Sequence, residues 1–164
     1  MGTAMAYPDG PSVTSLVLGA AIDGFIKPTT FAWMTATIRQ KLEGVRTPLL
    51  ELHKALVDSE RVSYEEIVGQ IRSPNHFLQL LTTDPWFAWL HPLSQLIVSI
   101  DEALDRKEPL TPAEVDAVFT QVQRLLVASE IGEGFSRHYF DALQRDPGVV
   151  LAHAAVTRQW RPRT

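Results

Sequence analysis

Apolar residues recur along this chain at spacings of three and four, the period of an α-helix, in nearly every segment. The fullest pattern runs from Asp84 to Pro109, where Trp86, Trp89/Leu90, Leu93, Leu96/Ile97, Ile100 and Leu104 form one stripe of about six helical turns. Asp84 suits an N-cap and Pro85 suits the first helical position, where its missing N–H costs nothing. Pro92 interrupts the pattern, because it deprives the Ala88 carbonyl of its donor and crowds it. Either one helix kinks at Pro92, or a short Trp-rich helix precedes a second one. The stripe keeps its phase through Pro92, which favours the kink, and the bend would turn the Trp86–Trp89 end towards a groove or partner. A weaker second stripe of Phe87, Leu90, Ser94 and Val98 widens the apolar face and places this helix at the centre of a bundle.

Earlier in the chain, Thr29 or Thr30 can cap a long helix carrying Phe31, Met34, Ile38, Leu42, Val45, Leu49, Leu52 and Leu56. From Ile38 the steps alternate four and three, a seam suited to bundle packing. Pro48 deprives the carbonyl of Gly44, which has no side chain to add crowding, so a kink is easier there than a break. Ser63-Tyr64-Glu65-Glu66 reads as a capping box opening a new helix, and Ser73-Pro74 starts a short one with Phe77, Leu80 and Leu81.

After the central stretch, Thr111-Pro112-Ala113-Glu114 is the strongest start signal in the chain. Its helix carries Val115, Val118/Phe119, Val122 and Leu125/Leu126. Ile131-Gly132-Glu133-Gly134 reads as a loop, followed by a helical region with Phe135, Tyr139, Phe140, Ala142 and Leu143. Asp146-Pro147-Gly148 then restarts the chain into Val149–Val156, apolar nearly all round. No strand alternation, hairpin signal or repeat occurs. The predicted fold is therefore all-α, an up-and-down bundle of four main helices with additional short helices.

With 164 residues the chain fits one main domain, expected over residues 28–157. Residues 1–27 read as a tail whose apolar run, 13–26, forms an arm rather than a signal peptide, since no Lys or Arg precedes it. Residues 158–164 form a basic tail. The absence of cysteine removes disulfides and thiolate chemistry, and a net charge of −4 gives no overall attraction for nucleic acid or acidic membranes. No apolar run has the length of a membrane span.

Candidate chemistry is sparse. Neither Glu-x-x-His on two helices nor His-Glu-x-x-His occurs. His138 and Asp141, three apart, could share a metal or simply mark a polar face; His91, beside Pro92 and before Gln95, reads as a hydrogen-bonded structural histidine. Asp101 and Asp105 could do acid–base work, but a polar helix end more simply makes them a solvated acidic face. Ser15, Ser94 and Ser136 lie in no nucleophile elbow, and Gly132-x-Gly134 lacks the rest of a dinucleotide fingerprint. No catalytic residue, metal site or cofactor is therefore expected.

Trp86, Phe87 and Trp89 cannot all face one stripe, so core packing and an aromatic binding surface, with His91, are both open. Arg158, Trp160, Arg161 and Arg163 form either a contact for phosphate or an acidic partner, or a solubilising end. The leading expectation is a non-enzymatic interaction or regulatory protein, homodimeric, in a bacterial-type cytoplasm. The surplus apolar surface of the end segments supports it. The rival is a helical bundle that binds a small molecule, haem or metal through interior histidines and aromatics.

Overall fold

The computed structural model describes residues 28–160, which divide between Ala36 and Thr37 into two units. Residues 1–27 with their apolar run, the Phe31 side chain, and Arg161 and Arg163 lie outside the described residues. The described residues form α1 (Pro28–Ile67), α2 (Pro74–Thr83), a 3-10 helix (Pro85–Leu90), α3 (His91–Asp105), α4 (Pro112–Leu125), α5 (Phe135–Arg145) and α6 (Pro147–Thr157). No strand occurs among them, so the fold is all-α. Among them, too, no helix is long and apolar enough to cross a membrane.

α1 continues through Pro48 as a single helix. It already contains Thr29 and Thr30, so neither caps it as expected. Ile38, Leu42, Val45, Leu49, Leu52 and Leu56 are all buried, as the four–three seam requires, while Met34 lies exposed. The seam does not stop at Leu56. Its next positions are Ser59 and Ser63, both buried, with Glu60 and Tyr64 buried beside them. The expected helix start at Ser63-Tyr64-Glu65-Glu66 is therefore corrected: these residues are the last turns of α1. Ser63 Oγ donates back to the Ser59 carbonyl at 3.3 Å, and Glu65 Oε1 receives the Ile71 amide at 3.1 Å, beyond the helix end. Gly69, with φ +140°, turns the chain away; other residues avoid that conformation.

The junction at Pro92 also corrects the sequence reading. A tighter 3-10 helix precedes it, and Pro92 sits in the first turn of α3. The His91 amide donates to the Ala88 carbonyl, the acceptor that Pro92 cannot serve. A 3-10 bond spans one residue fewer than an α bond, so the change of helix type satisfies that carbonyl and a kinked α-helix is not needed. The proline then costs nothing at its own amide.

Ser73, Asp84, Thr111 and Asp146 each accept an amide of the turn they open, and Thr111 with Glu114 makes the full capping box. The Thr111 amide and the Arg106 guanidinium hold the Glu114 carboxyl down, at about 2. The 3-10 helix touches α2, α3 and α5, and α3 pairs with α4. Phe87, Leu90, Leu93, Leu96, Ile97 and Ile100 bury the centre of this arrangement. Two arginines of α1 secure the far end of α3: Arg39 donates to the Leu104 carbonyl, where a cation complements the helix dipole, and Arg46 pairs with Asp101.

Candidate functional site

The four aromatic-end candidates separate once folded. Phe87 is fully buried against Tyr64 and Phe77, and Trp89 is buried against Phe135 and His138, so neither offers a binding surface. The 3-10 helix turns 120° per residue and so presents Phe87 and Leu90 to one side and Trp86 and Trp89 to another, which lets two directions be core at once. Trp86 stays half-buried and His91 exposed. The His91 Nε2 lies 3.2 Å from the Leu81 carbonyl, tying the junction to the end of α2 as a structural histidine.

Trp86 borders a polar cluster centred on a buried acid, Glu60. The Trp86 Nε1–H donates to Glu60 Oε2 at 2.9 Å, while Arg145 donates to Glu60 Oε1 at 2.5 Å and to Ser59 Oγ at 3.2 Å. Glu60 is 5% exposed. Its carboxylate is stabilised there because both oxygens are paired, as a buried charge requires. This contact joins α1, the 3-10 helix and α5. Beside it lies a cleft of about 420 Å³ that Glu66, Ile67, His138 and Asp141 also line. Asp141 is held by Arg137 at 3.1 Å, and His138 stacks on Trp89 at 5.3 Å between ring centroids. His138 and Asp141 thus have separate partners, and among the described residues no three His, Asp or Glu side chains are grouped to hold a metal ion.

Glu60 is the residue that sequence reasoning missed. The signal was present: the four–three seam of α1, extended past Leu56, lands on Ser59 and Ser63. Their polarity hid the continuation.

A line of rings leads from this cleft inwards, His138 to Trp89 to Phe135 to Tyr139 to His153. Trp89 Nε1 is buried and has no partner among the described residues. Tyr139 is fully buried, and burial pushes its phenol well above the usual range. Its hydroxyl therefore stays protonated and shares a hydrogen bond with His153 Nδ1 at 2.6 Å. His153 is held below its ordinary value by burial, as is His53, whose Nε2 lies 2.7 Å from Ser94 Oγ.

At the other end, Arg158 caps α6 and is exposed, whereas Trp160 is half-buried against the core. Trp160 is thereby a packing residue rather than part of a free basic tail. Asp101, expected in a solvated acidic face, is half-buried and paired with Arg46.

The remaining feature is the outer side of α6. Val149 and Val156 face the core, while Val150, Leu151 and Ala154, opposite them on the helix, are exposed. Leu151 is 72% exposed. Compared with family models, with curated proteins and with solved structures, the chain matches none.

Proposed function

We propose that this is a non-enzymatic interaction protein that pairs with a second copy of itself through the outer face of α6. The observation that carries the reading is the uncharged strip of Val150, Leu151 and Ala154 opposite the buried side of the same helix. A helix that packs on one neighbour keeps its outer face polar; one that is apolar on both sides suits two neighbours. The ends of α6 differ in charge, with Asp146 at the start and Arg158 at the finish. Glu51 lies near the Asp146 end, along the same shallow depression, where Asp58 is already paired with Lys54 and the balance of charge stays acidic. Antiparallel pairing about a two-fold axis would lay each Arg158 against the other copy's acidic end, with the apolar strip at the centre. Within each copy, α1, α3, α4 and the α5–α6 pair would form an up-and-down bundle, with α2 and the 3-10 helix between the first and second members.

Light scattering at micromolar concentration is the test. The expected result is a dimer mass that Leu151→Glu halves while the helical circular-dichroism signal at room temperature is kept. A monomer mass for the unaltered protein overturns the proposal.

A second reading, a small-molecule site, draws on the cleft beside Glu60, where Trp86 and His138 are within reach of solvent. An absorption spectrum and metal analysis of the purified protein separate this reading from the first. A bound chromophore or stoichiometric metal would favour the cleft.

A further inference from the structure

A groove distinct from both the α6 face and the Glu60 cleft lies between α3 and α4. Its floor is apolar: Leu96 is buried, Leu125 half-buried, and Pro92 contributes its ring. Its edges carry Gln95, Gln121 and Arg124. The Arg124 side chain makes no ion pair or hydrogen bond among the described residues, and neither glutamine side chain has a hydrogen-bond partner there. Other arginines of this chain, Arg46, Arg106, Arg137 and Arg145, each meet a carboxylate. Arg124 is thus a free guanidinium at the rim of an apolar floor.

Arg124 and Gln121 are three apart on α4, so their N–H donors stand side by side and can converge on one pair of oxygens. We propose that this groove binds a small free carboxylic acid with an apolar body. Its carboxylate meets Arg124 and Gln121, and its chain lies over Leu96, Leu125 and Pro92. Charge selects the acid. The rim holds one cation, no anion and two neutral amides, so an amine is repelled and an uncharged chain gains nothing from the guanidinium. Size selects a small molecule. The groove has a volume of about 550 Å³, within the range of small-molecule sites. On α4 its lining is confined to Gln121–Leu125, about one turn. A docked helix would need a longer track for anchors at i, i+4 and i+7.

The test is a two-dimensional NMR titration with decanoate below its micellar concentration, run beside 1-decanol and decyltrimethylammonium. Decanoate is expected to shift amides of α3 and α4 around Leu96 and Arg124. Arg124→Gln should weaken it roughly tenfold, the loss of one charge-assisted contact. Because Arg124 is exposed and unpaired, that variant should keep its melting temperature. The proposal is overturned if decanoate leaves the groove unshifted, or if the alcohol or the cation binds as well as the acid. It also fails if Arg124→Gln binds decanoate unchanged, or if the shifts gather on the α6 face. A change of mass caused by Arg124→Gln in light scattering would identify the groove as a contact between copies and would equally overturn it. The dimer proposal is read separately through Leu151.

Discussion

The indole N–H of Trp86 reaches across 26 positions of sequence to Glu60 Oε2, at 2.9 Å. Arg145 occupies the other oxygen of the same carboxylate. One acid thus fastens three helical elements. Its burial makes the partners necessary, because an unpaired carboxylate in that position would lose its hydration without compensation.

Arg145→Ala should therefore destabilise the protein by about 1–3 kcal/mol. Losses of 3–5 kcal/mol follow the breaking of fully buried pairs, but the Arg145 side chain is 42% exposed and water offsets part of the effect. Urea unfolding at neutral pH measures it. Glu60→Gln, which keeps an acceptor for Trp86, should cost less than Arg145→Ala; the reverse order would mean that the pair does not hold the elements together.

Leu93 is fully buried in the first turn of α3. Leu93→Ala should cost about 2–5 kcal/mol through lost contact and a residual cavity. A loss below about 0.5 kcal/mol in the same unfolding assay would show that the centre of the core collapses around the gap.

Pro92→Ala should lower stability slightly, by less than about 1 kcal/mol. The proline sits where a helix needs no amide donor, so alanine gains no hydrogen bond and frees the unfolded chain. Thermal melting decides the point, since a rise in stability would indicate that the ring strains the 3-10 to α junction.

His53 and His153 both have folded-state values lowered by burial. The unfolded chain then takes up protons more readily as pH falls below about 6.5, so stability rises with pH in that window and is lost on acidification. The contribution is fully present above the unfolded value and levels off below the folded ones. His53→Gln combined with His153→Asn, which mimic the bonded nitrogens, should flatten the slope between about pH 7.5 and 5. An unchanged slope would assign the acid sensitivity to other groups.

The apolar period carried most of this fold in plain view. The α1 seam, the caps at Ser73, Asp84, Thr111 and Asp146, and the loop before Phe135 all follow from local rules, because helix period and capping are settled within a few residues. The break at Pro92 was present as one of two readings, and phase alone favoured the wrong one. A 3-10 helix repeats every three residues and an α-helix every 3.6, so over the six residues from Pro85 to Leu90 apolar spacings of three fit either helix. The Trp86–Phe87–Trp89 cluster could not be sorted from its sequence either, since which ring is buried depends on α1 and α5 arriving from distant parts of the chain.

The all-helical class, the seam of α1 from Ile38 to Leu56 and the start of nearly every later helix can be read directly from the order of residues. Each depends on periodicity and on hydrogen bonds between near neighbours. Packing between distant segments set the rest: α1 runs on through Ser63, Glu60 is a buried acid with Trp86 and Arg145 upon it, and among the described residues the Arg124 side chain has no partner while Asp101 has one. Those outcomes turn on desolvation and on pairing between residues dozens of positions apart. A charge shows its partner, or its lack of one, only when the chain has brought the candidates within reach.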